Sequence, residues 1–262
     1  MSTQAALTAR SAIKKLRPQF DALYDKYVIN AGLYEVDNYY VVERERYWRS
    51  LELFCSLDVP APARILEIGG GQIAILCKHL FGDSCVVGDI SKDYAAPVER
   101  AGVEHIIFNL LDPKMDGSQP KFDVIVLLEV IEHIPVPAHV ILEKLKSFLT
   151  PSGVIFLTTP NLFRLRNLAR MAAGIDYLDL FMVPEPGQGL GHQLEYTASH
   201  LRWQIKRAGL EELMLVHDRL GGRVGHSLAT RVARRLIAPL ELRPKWRDGL
   251  VAAVRNSPPK VN

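Results

Sequence analysis

The sequence predicts an α/β fold: a doubly wound, mostly parallel sheet of seven strands with helices on both faces. A helical front end precedes the sheet and a lid-like insertion follows its fifth strand. Three observations carry this expectation. Short, near-continuous apolar runs alternate with helical patterns through the middle of the chain, as they do when a parallel sheet is covered on both faces. Three consecutive glycines, Gly69, Gly70 and Gly71, lie where the first such run gives way to a helical pattern. The chain has 262 residues and is 48% hydrophobic, enough for one substantial core and short for two.

The elements follow in order. Residues 1–60 read as a helical cap or substrate lid, and six of the nine tyrosines lie there: Tyr24, Tyr27, Tyr34, Tyr39, Tyr40 and Tyr47. Residues 61–262 form the main domain. Ala63–Ile68 is a strand, Gln72–Phe81 a helix, Ser84–Asp89 a strand and Asp93–Ala101 a helix. His105–Phe108 is a short third strand. Phe122–Leu128 (FDVIVLL) is apolar but for Asp123 and reads as a buried fourth. A helix over Pro137–Leu149 leads to a fifth strand, Gly153–Thr158. Residues 161–191 form a variable insertion whose C-terminal half, with Pro184, Pro186, Gly187, Gly189 and Gly191, reads as a loop. Ala198–Ala208 is helical, and Glu212–Val216 and Leu250–Arg255 are strands. Between those two strands, residues 223–245 form a basic insertion with a helix over His226–Leu240.

Composition narrows the function. A net charge of +3 is no nucleic-acid signature. The bias is local: from Arg223 onward nine basic residues face only Glu241 and Asp248. The 226–240 helix sets Leu228, Val232, Leu236 and Ile237 against Arg231, Arg234 and Arg235. Such a helix packs on the sheet or lies on an anionic membrane. Cys55, Cys77 and Cys85 fit neither a zinc site nor a disulfide framework, and reduced thiols point to the cytoplasm. No apolar run approaches the length of a membrane span.

The ligand signal lies at the strand ends. Glu67 and the three glycines of ILEIGGGQ close the first strand as a helix begins. Glycine permits a tight turn and a close ligand approach. Asp89 ends the second strand, about 20 residues downstream, where an acid meets ribose hydroxyls in dinucleotide-type folds.

The stretch from about Ala63 to Asn161 resembles the class I S-adenosylmethionine-dependent methyltransferases, whose domain is Rossmann-like. ILEIGGG is similar to their first motif, FDVIVLLEVIEHI to their fourth, and LTPSGVIFLTTPN to the strand that follows. The resemblance implies S-adenosyl-L-methionine as cofactor. Glu67, Gly69, Gly70 and Gly71 would surround its methionine part, Asp89 would bind its ribose and Asp112 its adenine amino group, with Ile90, Leu111 and Glu129 also binding the cofactor. Ile73 stands where the family commonly has a third glycine. A nicotinamide cofactor is the poorer reading, because Ala74 occupies the third glycine position of the pyrophosphate-binding pattern.

Ligands of open α/β sheets sit at the carboxyl ends of the strands. His133, His192 and Tyr196 are the expected catalytic residues, histidine as a base working near neutral pH. Glu129, Glu132 and His133 have the spacing of one helical face. With His192 they resemble the metal-binding set of small-RNA 2′-O-methyltransferases, and a related pattern occurs in ubiquinone-pathway O-methyltransferases. A divalent metal is thus a second expected cofactor. The expected reaction is O-methylation of a small-molecule, sugar or lipid-linked glycan acceptor, covered by the front-end tyrosines and the insertion. Metal-dependent RNA methylation and cofactor binding without catalysis are the alternatives.

Overall fold

The computed structural model describes residues 3–32, 38–93, 95–115, 121–178, 191–220 and 239–256. Seven strands form one sheet in the order β3-β2-β1-β4-β5-β7-β6: β1 (Arg64–Ile68), β2 (Ser84–Asp89), β3 (Glu104–Ile107), β4 (Phe122–Leu128), β5 (Leu149–Pro160), β6 (Leu210–Asp218) and β7 (Gly249–Asn256). The first five are parallel, while β7 runs antiparallel to both β5 and β6. The chain winds outward from β1 in both directions, so the order reverses between β1 and β4, where such folds open a crevice.

Alternate side chains of each strand enter opposite cores. Ile65, Val87, Val124, Val126 and Phe156 face α4 (Gln72–Phe81) and the front-end helices α1 (Thr3–Ser11), α2 (Arg17–Tyr24) and α3 (Tyr39–Cys55). Leu66, Val86, Ile125, Leu127 and Leu157 face α6 (Ala138–Lys146) and α8 (Ala198–Arg207). The short α5 (Ala95–Arg100) leads into β3.

The front end is no separate unit. Phe20, Tyr24, Leu51 and Phe54 are fully buried in the same core as the sheet. Arg10 of α1 forks onto both Asp83 oxygens at 2.7 Å, and Asp83 also accepts the Ala63 N–H at 2.7 Å. One buried ion pair thus fastens the first helix to the entries of β1 and β2.

Two elements depart from expectation, and a third lies mostly outside the described residues. β5 begins at Leu149, because Phe122 pairs with Leu149 across an irregularity before Val124. A Cβ on Gly153 would stand 3.0 Å from the Phe122 carbonyl. The insertion carries an eight-residue helix, α7 (Leu165–Ala172), and residues 179–190 lie outside the described residues. Most of the expected His226–Leu240 helix, with its membrane reading, also lies outside them. Where the description resumes, Leu240–Leu242 and Pro244–Trp246 are 3-10 turns. No helix of the described residues is long and apolar enough to cross a membrane.

Candidate active site

The glycine turn and Asp89 lie side by side. Ile68 is in register with Gly88, and the Gly69 N–H donates to the Gly88 carbonyl at 2.9 Å. Gly69, Gly70 and Gly71 all have positive φ, at 82°, 43° and 91°. A Cβ on Gly71 would meet Val87 at 2.7 Å, so this turn admits only glycine. Ile73, in the place of the family's third glycine, is fully buried in the core of α4.

Asp89 is half-buried, and burial pushes its carboxyl above the usual range although the Ser91 N–H donates to it at 2.9 Å. Ile90 is 63% exposed and Leu111 47% exposed, two bare apolar side chains just past strand ends. Apolar groups so placed suit the faces of a flat ring. The Asp112 carboxylate accepts the Lys114 N–H at 2.9 Å, within its own turn.

Glu67 is turned inward. It is buried and accepts the Ala74 N–H at 2.6 Å in the first turn of α4. Burial pushes its carboxyl up to about 8, against the pull of the backbone donors of Gly71, Ile73 and Ala74.

Glu129 stands apart from the helical face expected of it. Its φ is 54°, and the following 3-10 turn starts only at Ile131. Its carboxylate accepts from Thr158 Oγ1 at 2.7 Å and faces Arg46 of α3 at 3.5 Å. The metal-capable cluster is therefore Glu132, His133 and His192, with one ligand atom of each within 4.8 Å of the others. Glu132 is fully buried. Its Oε2 accepts from Thr159 at 3.0 Å, while its Oε1 has no hydrogen-bond partner among the described residues. Burial, with Glu129 nearby, pushes it well above the ordinary carboxyl range.

His133 and His192 meet edge to face, ring centroids 4.9 Å apart. The Glu132 carbonyl accepts from both Gln193 (2.6 Å) and Leu194 (3.1 Å), which clamps the His192 segment onto the His133 turn. His192 Nδ1 lies 3.0 Å from Glu195 Oε1. Glu195 is buried and also receives Arg164 Nη2 at 2.5 Å and Asn167 Nδ2 at 2.6 Å. With Nδ1 donating to that carboxylate, His192 keeps the lone pair of Nε2. A cavity of about 180 Å³ opens beside it, lined by Arg164, Arg166, Tyr177 and Glu195.

Other expectations are corrected here. Tyr196 is fully buried in the core, its phenol pushed up to about 12 by burial, and it does not line this cavity. Tyr24, Tyr40 and Tyr47 pack the front end onto the sheet instead of facing an acceptor, with the Tyr24 hydroxyl donating to the Tyr40 carbonyl at 2.9 Å. Tyr34 lies outside the described residues. Sequence reading missed Glu195, Arg164, Asn167 and Arg46. The one local hint was the His192–Glu195 spacing of three residues.

Comparison with known proteins identifies the family and the fold. A family model described as a methyltransferase domain matches residues 40–214. The ubiquinone biosynthesis O-methyltransferase of Pasteurella multocida is 41% identical over 69 residues, 26% of this chain and 27% of that protein. Its counterpart from Haemophilus ducreyi is 42% identical over 65 residues, 25% of this chain and 26% of that protein. The chain thus matches about a quarter of the length of these curated relatives. Crystal structures of S-adenosylmethionine-dependent methyltransferases share the fold. One from Archaeoglobus fulgidus has a TM-score of 0.55 at 16% identity, covering 84% of this chain and 100% of that one. One from Mesorhizobium loti has 0.54 at 14%, covering 80% and 98%. With the family model spanning well over half its length, the chain belongs to the methyltransferase-domain family, on a fold it shares with S-adenosylmethionine-dependent methyltransferases of known structure.

Proposed function

We propose that the chain methylates a hydroxyl oxygen of a small-molecule, sugar or lipid-linked glycan acceptor, with His192 as general base. The observation that carries this reading is the Glu195–His192 pair beside a cavity lined by Arg164, Arg166 and Tyr177. Bound S-adenosyl-L-methionine supplies an electrophilic methyl group. In the proposed site the turn Gly69–Gly71 and the inward-facing Glu67 cradle its methionine part. Asp89 binds the ribose diol, and Ile90 and Leu111 flank the adenine beside Asp112. Glu129, held by Thr158 and Arg46, closes the methionine side.

The reaction asks little of the protein beyond position and one proton transfer. The acceptor oxygen forms its bond to the methyl carbon as the sulfur–carbon bond breaks, leaving neutral S-adenosylhomocysteine. His192 Nε2 takes the hydroxyl proton, and the buried Glu195 carboxylate fixes the ring and balances the imidazolium. His133 braces it edge to face.

Catechol and a panel of hydroxylated sugars, incubated with the chain and methyl-labelled cofactor, provide the test. Label in an ether product, with His192→Ala lowering kcat by about 10²–10⁴-fold, is the expected result. Label transfer unchanged in His192→Ala removes His192 as the base.

A second reading has its own observation, the unpartnered buried Glu132 Oε1 beside two imidazoles. Glu132, His133 and His192 fit a divalent ion, which when bound would lower an acceptor hydroxyl's pKa. Chelation then abolishes turnover and added divalent metal restores it. Turnover indifferent to a strong chelator discards this reading.

A further inference from the structure

The loop that follows β3 is tied to α6 by one side chain. The half-buried Lys144 of that helix donates from its ammonium to the Leu110 carbonyl at 2.9 Å and to the Asp112 carbonyl. Such bonds carry the full charge of the donor and are stronger than bonds between neutral groups. Within the loop, Asn109 Oδ1 accepts the Leu111 N–H at 2.9 Å, and the Asn109 carbonyl accepts the Asp112 N–H at 3.1 Å. The Asp112 carboxylate accepts the Lys114 N–H at 2.9 Å, and its carbonyl the Met115 N–H at 3.2 Å. These short-range bonds fix the shape of the two turns but not their place against the sheet. Lys144 supplies place, together with Leu110, which is 6% exposed in the core that α6 shares.

The two carbonyls held by Lys144 stand on either side of Leu111, whose own side chain is exposed past the strand end. A contact group binds well only if the structure around it holds it in position beforehand. We infer that Lys144 is a positioning residue for the adenine end of the cofactor: by pinning the backbone on both sides of Leu111, it sets that side chain and the Asp112 carboxylate against the ring. This rests on the reading of Leu111 and Asp112 as adenine contacts, and it adds a residue that acts through them. The ribose end does not depend on this lysine, because Asp89 closes another strand and is held by the Ser91 N–H.

Calorimetry on the full chain tests this with two ligands, S-adenosylhomocysteine and S-inosylhomocysteine, which differ only in the purine. One offers an amino group where the other has a carbonyl oxygen. The wild-type chain is expected to prefer the adenosyl ligand roughly tenfold or more, since a carboxylate accepts from the amino group and repels the oxygen. In Lys144→Met, which keeps the length of the side chain and removes its donors, that preference collapses toward equality. Lys144→Gln, which keeps a shorter, neutral donor, carries the same test if Lys144→Met does not fold. Unchanged affinity for both ligands, or equal weakening of both, overturns the inference and leaves Lys144 as an ordinary tie between helix and loop.

Asp112→Ala in the same titration separates the inference from the reading beneath it. If Asp112→Ala abolishes the preference and Lys144→Met does not, the adenine contacts stand and the role of the lysine falls. If the wild-type chain shows no preference, or Asp112→Ala retains it, the adenine reading fails and the inference goes with it.

Discussion

At the scale of single residues, two carboxylates one strand apart do opposite things. Asp89 is half-buried at the end of its strand, while Glu67 is buried and bound to the backbone of α4. Asp89→Ala is expected to abolish the rise in melting temperature caused by S-adenosylhomocysteine; an unchanged rise would refute the ribose assignment. Glu67 makes a pH prediction. Its folded value of about 8 stands above the ordinary 4.5, so between those values the folded state holds a proton that the unfolded state has lost. Stability from this group is full at low pH and falls as pH rises through that window. Glu67→Gln, with no charge to bury, should show a flatter melting-temperature profile over the same range. Parallel profiles would mean Glu67 ionises as it does in water.

The same scale shows what a linear reading misses. The glycine turn and Asp89 were legible because strand, turn and acid follow one another along the chain. Glu195 was not. Its meaning comes from Arg164 and Asn167, 31 and 28 positions away. Tyr196 misled for the converse reason: a polar tip at a loop suggested chemistry, and the fold uses its ring as core.

At the scale of elements, the central strands β1, β2, β4 and β5 were readable because each carries a short apolar run buried on both faces. β4 and α4 have the ends expected of them. Helix α7 was not, since LFRLRNLARM is amphipathic, short and embedded in an insertion. The first of the front-end helices, α1, is fastened by one ion pair. Arg10 and Asp83 are buried, with side chains 5% and 0% exposed. Removing one member of such a pair strands the other. Arg10→Ala is expected to cost about 3–5 kcal/mol in urea unfolding. A cost below about 1 kcal/mol would place this contact among ordinary surface pairs.

At the scale of the whole molecule, the front end and the sheet share one core, so cofactor binding should be felt globally. Saturating S-adenosylhomocysteine at about 100 times its dissociation constant adds roughly 2.7 kcal/mol. For a chain of this size that raises the melting temperature by roughly 5–10 °C. A single sharpened transition is expected. Two transitions, only one of them moving with ligand, would show that the front-end helices unfold independently.

The double hold of the Glu132 carbonyl on Gln193 and Leu194 has a consequence for how acceptor preference can change. Both imidazoles are anchored by a turn after β4 and by backbone that returns to it. Replacing residues 175–190 with another enzyme's segment is therefore expected to change which acceptor is methylated while the contact between His133 and His192 stays in place.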